Sequence, residues 1–428
     1  MVHGYSVRSL SAYGEFPELL VSEGFDPADV ELSAFDSLDN SVTCDDLAIG
    51  LETQIHALEG TGLDVAASAF VVHSTGAIVA RRWILNRLAA GKSIPSHLVS
   101  LAGANHGSTL AQLGQSALNR LHDQLQGADG IGQQVLTDLD YGSVFLRKLN
   151  RDWLTALNAG KLDSIFLFSM IGDYHDDELD QFFWQTKEIA SDSTIRICGG
   201  NLNYTWVTAD PDAAPPILKP EVMKIEVPHL ILHDFSHTGD KGIIDSVRST
   251  RDAPFAALME AFRVVDQASY ATVRTNWAAT TSAWNAQNGI GVSSMLVFRL
   301  TDESGRPITD SLIVLTDKNG KTNTVSPLLQ PHQPIQNEVD GSAVTFYVMH
   351  QAFSNGDVVT VQIQPKSGSP LIDYKPVNYD VSANILTIVQ PNETTYIDVS
   401  VNRNVSNTYR IVNYSTNPDT NKQWPPLP

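Results

Sequence analysis

The pattern of apolar and polar positions is of one kind up to about residue 105. Short apolar runs alternate there with helix-like patterns and turns, which is typical of a parallel sheet with crossover helices. A helix is predicted over 44–58, because Thr43 is a good N-cap and apolar residues follow it every three or four positions. We expect this helix to lie on one face of the sheet. The predicted strands are 30–35, 66–72 and 97–101.

From Ser108 to about Gly160 the pattern changes to amphipathic helices, which predicts a helical cap inserted over 109–160. Strand patterns then return at 164–171, 194–198 and 229–232, and helical sequence runs from 254 to 284. Residues 1–288 are therefore predicted to form one α/β domain. The apolar stripe of the cap consists of Leu110, Leu113, Leu118, Leu121 and Leu125.

Beyond residue 291 the chain consists of short alternating runs separated by turn residues. This pattern predicts a separate antiparallel β-sandwich of immunoglobulin-like type over 291–415, with a proline-rich tail at 416–428. We expect the sandwich to have either a binding role, for a polymer for instance, or a structural role against the first domain, of which the structural role is favoured. The first role requires exposed aromatic side chains, for which the candidates are Phe346, Tyr347, Tyr396, Tyr409 and Tyr414. The runs are 295–300, 312–315, 344–349, 358–363, 385–389, 396–401 and 409–414.

Composition and charge narrow the classes of function. The 428 residues are 42% hydrophobic and 18% charged, which is the profile of an ordinary globular protein. Lys and Arg total 28 against 48 Asp and Glu, so the net charge of −20 argues against nucleic acid as a partner. No apolar stretch is long enough for a transmembrane segment. The two cysteines, Cys44 and Cys198, exclude a disulfide scaffold and are expected to be buried free thiols.

The N-terminus lacks the basic and apolar regions of a signal peptide, so a cytoplasmic location is the default expectation. The chain opens directly on Met1-Val2-His3-Gly4, a motif that usually follows a complete strand. A leader missing from the sequence, and with it secretion, therefore stays open.

A serine on a sharp turn carries the strongest chemical signal. The apolar run that ends at Val72 leads into His73-Ser74-Thr75-Gly76 and then into a helical pattern. A serine between a strand and a helix is typical of a nucleophile elbow, in which the helix N-terminus directs amides at the reacting centre. Val72 stands where the usual GxSxG pattern has its first glycine.

An activated serine also needs donors for the oxyanion that forms on the substrate. The segment His3-Gly4-Tyr5-Ser6 fits this need, because Gly4 allows the backbone to turn. The amide of Tyr5 is then expected to pair with the amide of Thr75 around the tetrahedral intermediate.

These segments together resemble α/β-hydrolases of the lipase and esterase type. The resemblance rests on 2–5, 72–76 and the loop Ala104-Asn105-His106-Gly107-Ser108, and it extends over about 1–288. The last loop is similar to one that leads into the cap in lipases, including the branch near the GPI-inositol deacylases. The resemblance implies a mostly parallel sheet with a cap, and a serine, an acid and a histidine in that order along the chain.

Two candidates remain for the acid and two for the histidine. Asp192 is favoured over Asp173, because its surroundings resemble the serine-aspartate segment of bacterial relatives. His237 is favoured over His233, because it lies in a polar, glycine-bearing loop after the last strand, whereas His233 is expected to be a structural histidine. The acidic run from Asp173 to Asp180 lacks the spacing of an EF-hand, so no metal site is predicted.

The resulting hypothesis is a serine carboxylesterase or lipase that needs no cofactor. Ser74 would attack an ester carbonyl, His237 would transfer the proton and Asp192 would orient His237. Leu110 and Leu113 are the candidates for an apolar substrate pocket, and a small or lipid-like ester is the expected substrate. Thioesters and phospholipids stay open as substrates. The alternative from another class is a non-catalytic binding or adhesion protein with a hydrolase-like scaffold.

Overall fold

The computed structural model describes most of the chain. The described residues are 1–7, 10–108, 111, 130–174, 190–210, 217–244, 253–288, 292–317, 320, 322, 335–349, 358–367, 371–380 and 388–405.

Strands and helices follow one another through the first 288 residues, and strands prevail beyond them. The strands are β1 (Ala69–His73), β2 (His97–Leu101), β3 (Phe166–Gly172), β4 (Tyr204–Asp210), β5 (Ile217–Val222), β6 (His229–Leu232), β7 (Ser293–Asp302), β8 (Ser311–Asp317), β9 (Ile335–Gln336), β10 (Ala343–Met349), β11 (Val358–Pro365), β12 (Ile372–Tyr374), β13 (Val377–Asp380), β14 (Thr394–Val401) and β15 (Arg403–Val405). The α-helices are α1 (Phe16–Ser22), α2 (Cys44–Glu59), α3 (Thr75–Ala89), α4 (Gln133–Leu139), α5 (Val144–Asn158), α6 (Ile197–Gly200), α7 (Ala253–Phe262) and α8 (Gln267–Asn288). Short 3-10 helices lie at Leu10–Tyr13, Pro27–Asp29 and Val65–Ala67.

A parallel sheet in the order β1-β2-β3-β6 forms the centre of the first part of the chain. Val2 adds a parallel bridge to Val72 at the outer side of β1. Consecutive strand residues point to opposite faces, so both faces are apolar and both are covered. Val71 packs with α1, α7 and α8, whereas Val72 packs with α2, α3 and α5.

A six-stranded sheet, in the order β5-β4-β14-β7-β10-β9, joins the two parts of the chain. Its strands β4 and β5 come from the first part, and β4 pairs in parallel with β14 from the second. The predicted boundary near residue 290 thus lies between strands of one hydrogen-bonded sheet. The β-rich C-terminal part is confirmed, but β14 is parallel to both of its neighbours, which differs from the wholly antiparallel prediction.

The two faces of this sheet belong to different cores. Met295, Val297 and Tyr396 pack into the core that also contains Trp83 and Trp153 of the helices. The alternate residues of the same strands, Leu296, Phe298 and Ile397 among them, pack toward the three-stranded sheet β13-β11-β8. The candidate aromatic residues Phe346, Tyr347 and Tyr396 are all buried. Tyr409 and Tyr414 lie outside the described residues.

Several predicted elements match the structure closely, as 97–101 and 229–232 do, while two are wrong. Residues 30–35 form no strand, because the amides of Ser33 and Phe35 donate instead to the Met1 carbonyl and to the His3 ring. Residues 194–198 make one isolated bridge and then the short helix α6. The amides of Thr194 and Ile195 donate there to the Asp192 carboxylate.

Candidate active site

Ser74 lies on a strained turn between β1 and α3. Its φ of 53° and ψ of −124° place a non-glycine residue in a sparsely populated region of backbone conformation. Two hydrogen bonds to the end of β2 and the loop after it hold this turn in place. The Ser74 amide donates to the Leu101 carbonyl at 3.2 Å, and the Ser74 carbonyl accepts from the Ala104 amide at 3.1 Å. The strain is therefore held by the surrounding structure, and the side chain stands at the carboxyl end of the parallel sheet.

The structure brings the three favoured residues together. The distance from His237 Nε2 to Ser74 Oγ is 3.0 Å, and that from His237 Nδ1 to Asp192 Oδ2 is 2.9 Å. All three residues are buried. Because the Asp192 carboxylate accepts a hydrogen bond from Nδ1–H of His237, the lone pair of Nε2 faces the serine hydroxyl.

A tight loop holds Asp192 in place. Its Oδ1 accepts from the amides of Thr194 at 3.0 Å and Ile195 at 2.7 Å, while its backbone carbonyl accepts from the His237 amide at 2.9 Å. Thus Asp192 contacts the histidine through both its side chain and its main chain. These hydrogen bonds offset the free-energy cost of burying the charged carboxylate.

A second histidine, His73, packs beside His237. Their ring centroids are 4.7 Å apart, and His73 Nε2 lies 3.3 Å from the His237 carbonyl oxygen, to which it donates. Burial, together with the proximity of His237, lowers the pKa of His73 well below its ordinary value. The ring is therefore a neutral support for the backbone of His237.

The segment predicted to supply the oxyanion donors passes directly by Ser74. A Cβ atom at Gly4 would lie 2.7 Å from Ser74 Cβ, and one at Gly76 would lie 2.4 Å from the His3 carbonyl oxygen. Only glycine allows these two close approaches. The Thr75 amide is at the first position of α3, where backbone N–H groups have no hydrogen-bond acceptor within the helix.

The two alternative residues form a separate cluster. Asp173 accepts from His233 Nδ1 at 2.9 Å, from Trp284 Nε1 at 2.6 Å and from the Asp234 amide at 2.8 Å. The side chain of His233 is 72% exposed, and the hydrogen bond to Asp173 raises its pKa. Asp173 thus organises the loop that follows β6 and does not contact His237.

The remaining sequence predictions concern the substrate pocket, a metal site, a membrane-spanning helix and the two cysteines. Leu110 and Leu113, the candidates for the substrate pocket, lie outside the described residues, as does most of the acidic run from Asp173 to Asp180. Within the described ranges, no three His, Cys, Asp or Glu side chains are grouped so that they could hold a metal ion. In those same ranges, no helix combines the length and the apolar character needed to cross a membrane. Cys44 and Cys198 are both buried, and neither forms a disulfide.

The chain is similar over nearly its whole length to a solved phospholipase, PlaB from Legionella pneumophila. The TM-score is 0.81 at 24% identity, and the match covers 96% of this chain and 95% of that one. The chain has the fold of that phospholipase. A second structure of PlaB, in complex with thio-NAD, matches with a TM-score of 0.82 at 24% identity and covers 100% of this chain and 97% of that one. The predicted resemblance to α/β-hydrolases of the lipase and esterase type is thereby confirmed at the level of the fold.

No family model matches the chain, and no curated protein matches it significantly.

The sequence predicts roles for Ser74, Asp192 and His237, which lie together in the structure, but it assigns none to the side chains of His3 and His73. Both residues stand in the quoted motifs, next to Gly4 and Ser74. Their positions could have suggested a supporting role, but their hydrogen-bond partners, the Gly4 carbonyl for His3 and the His237 carbonyl for His73, become evident only in three dimensions.

Proposed function

We propose that the protein is a serine hydrolase that cleaves lipid-like carboxylic esters through an acyl-enzyme. The observation that carries the proposal is the chain of contacts from Ser74 Oγ to His237 Nε2 at 3.0 Å and from His237 Nδ1 to Asp192 Oδ2 at 2.9 Å. A nucleophile, a base and an acid within hydrogen-bond distance are the elements of a catalytic triad.

In the first step, Ser74 Oγ attacks the ester carbonyl while its proton passes to His237 Nε2. Asp192 stabilises the imidazolium that results, since its Oδ2 accepts the hydrogen bond from Nδ1. The amides of Tyr5 and Thr75 would stabilise the oxyanion, and removing one such donor typically costs about 10²–10³ in kcat. The intermediate collapses when His237 returns the proton to the leaving alcohol.

In the second step, water attacks the acyl group on Ser74, with His237 again accepting the proton. The acid is released as the proton returns to Ser74 Oγ, which restores the starting state. The neutral ring of His73 supports the His237 backbone without adding a charge that would compete with the imidazolium.

The substrate class rests on the fold and not on a described pocket. PlaB, which shares the fold, is a phospholipase. We propose esters with apolar acyl chains, phospholipids included, with Leu110 and Leu113 as candidates for the acyl wall. Release of fatty acid from phosphatidylcholine micelles, compared with hydrolysis of short p-nitrophenyl esters, would rank these substrates.

The non-catalytic alternative makes the opposite prediction for covalent labelling. A fluorophosphonate probe should label the wild type at Ser74 and should not label Ser74→Ala, which should also lose ester hydrolysis. The matched control is Ser22→Ala, since Ser22 lies on the remote helix α1 and donates to the Leu19 carbonyl. A wild type that is neither labelled nor active would favour the binding protein.

A further inference from the structure

The imidazole of His3 is buried directly beside the turn that faces Ser74. Only 2% of the residue is exposed. Its ring stacks on that of Phe35, with centroids 3.9 Å apart and planes 20° from parallel, and Tyr13 contacts it at an edge. The great majority of buried polar groups are hydrogen-bonded, and both nitrogens of this ring have a partner.

The two partners define which nitrogen carries the proton. The Phe35 amide donates to His3 Nε2 at 2.9 Å, so Nε2 must hold a lone pair. Nδ1 therefore carries the hydrogen and donates to the Gly4 carbonyl at 2.7 Å. Burial lowers the pKa of His3, which agrees with a ring that remains neutral.

The carbonyl that His3 holds belongs to the same peptide unit as the Tyr5 amide. A trans peptide is planar, with its C=O and N–H pointing in opposite directions. Fixing the Gly4 carbonyl on one side therefore fixes the direction of the Tyr5 N–H on the other. Because Gly4 packs against Ser74, a rotation of this peptide would turn the amide relative to the reacting centre.

The other contacts described below do not restrain the rotation of the Gly4–Tyr5 peptide. Val2 is tied to β1 by hydrogen bonds with Val71 and His73, and the Ser6 amide donates to Ser37 Oγ at 2.9 Å. The Tyr5 hydroxyl donates to the Ile131 carbonyl, which anchors the side chain and not the peptide plane. Among these contacts, the one from His3 is made to the Gly4–Tyr5 peptide itself.

We propose that neutral His3, protonated on Nδ1, is a positioning residue that orients the Tyr5 amide as an oxyanion donor. The inference rests on the proposed ester hydrolysis. It assigns to His3 a contribution to the stability of the transition state, with no contact to substrate.

The test compares an ordinary ester with its thionoester, in which sulfur replaces the carbonyl oxygen and accepts hydrogen bonds poorly. Donors that point at the developing oxyanion favour the oxygen substrate, so the ratio of kcat/KM between the two esters reports their alignment. His3→Phe keeps an aromatic ring for the stack on Phe35 but loses both hydrogen bonds. We expect kcat on the oxygen ester to fall by about 10- to 100-fold with little change in KM, and the ratio to fall by about tenfold.

His3→Asn provides the rescue, because its side-chain amide can donate to the Gly4 carbonyl from nearly the position of Nδ1. Its ratio should lie closer to that of the wild type. His97→Phe is the matched control: the His97 ring also contacts a backbone carbonyl, that of Val264 at 2.8 Å, but at the start of β2 and so at the far end of the sheet. Its ratio should equal that of the wild type.

The outcomes separate this inference from the proposed function. A wild type with no esterase activity and no fluorophosphonate label would overturn the proposed function, and this inference with it. An active, labelled wild type whose ratio is the same in His3→Phe would overturn the role of His3 alone. Should His3→Phe not fold, the comparison of His3→Asn with His3→Leu makes the same decision, and equal ratios in that pair would refute the proposal.

Discussion

Asp192 and Asp173 differ in the hydrogen bonds that their carboxylates already make. Asp192 contacts His237, whereas Asp173 contacts His233, Trp284 and a backbone amide. Asp192→Asn should lower kcat by about 10³–10⁴, because an amide cannot hold the histidine in the required tautomer. Asp173→Asn, the matched control, should change kcat by less than about tenfold. Steady-state kinetics on a p-nitrophenyl ester would decide, and the reverse ranking would make Asp173 the acid.

Gly4 offers a second comparison between single residues. A Cβ atom there would lie 2.7 Å from Ser74 Cβ, so Gly4→Ala must displace the serine or the donor segment. Displacements of this kind should lower kcat by at least about 100-fold. Gly50→Ala is the control, because a Cβ at Gly50 in α2 has no atom within 4 Å. It should keep full activity and raise the free energy of unfolding by about 0.5–1 kcal/mol. Equal activity of both variants would contradict the close contact at Ser74.

How much of the site the sequence could predict depends on how local each signal is. Ser74 stands in a strand-turn-helix pattern that is contiguous in sequence, and the order of the three residues narrowed the choice of acid and base. The role of His3 depends on Phe35, which is 32 positions away in sequence. The direction of a peptide plane and the tautomer of a ring leave no trace in residue types, so no pattern could have shown them.

Among the elements, predictions succeeded where one burial pattern extends over a whole strand. All four residues of β6 are buried, and its apolar run gives its bounds correctly. Strands β4 and β5 were not predicted, although Tyr204, Trp206 and Val207 are residues with strong β propensity. The parallel partner of β4, β14, lies about 190 positions further along the chain, as the pairing of Tyr204 with Thr394 shows, and β5 in turn pairs with β4. Such a distant pairing cannot be inferred from local periodicity.

Asp140, between α4 and α5, connects these helices to the loop after β9. Its Oδ2 accepts from Asn337 Nδ2 at 2.7 Å and from the Glu338 amide at 3.2 Å. Burial raises its pKa to about 7 from an ordinary value of 3.8. The folded protein therefore binds this proton more tightly than the unfolded chain, and the contribution of Asp140 to stability is lost as the pH rises from about 4 through 7.

Asp140→Asn removes this titration and keeps an oxygen that can accept from Asn337. Its free energy of unfolding relative to the wild type should rise by about 1–3 kcal/mol between pH 4 and pH 8. Urea denaturation at both pH values would measure it. Asp39→Asn is the control, since hydrogen bonds from Ser41 lower the pKa of that exposed carboxyl and its loss should give no such gain. If the difference in free energy of unfolding between Asp140→Asn and the wild type were the same at both pH values, Asp140 would not titrate in this range.

Across the whole molecule, the six-stranded sheet joins the two parts of the chain. Through it, side chains from beyond residue 288 belong to the same hydrophobic core as those of residues 1–288. Tyr396 of β14 is fully buried, and its hydroxyl accepts from Asn150 Nδ2 at 2.8 Å and lies 3.0 Å from His106 Nδ1. Arg147 of α5 pairs with Asp398 of the same strand, which also accepts from Trp206 Nε1. These contacts support a structural role for the C-terminal part over the binding role.

A chain that ends at Asn288 should therefore not form a soluble, active hydrolase. It would lose the parallel partner of β4, expose Tyr204 and Trp206, and leave the buried His106 and Asn150 without the Tyr396 hydroxyl. Size-exclusion chromatography, circular dichroism and ester hydrolysis would test this. The milder variant Tyr396→Phe removes only the hydroxyl from the full-length protein and should lower the free energy of unfolding by about 1–3 kcal/mol. A truncated protein that is monodisperse and as active on soluble esters as the full chain would instead return the C-terminal part to a separate, substrate-binding role.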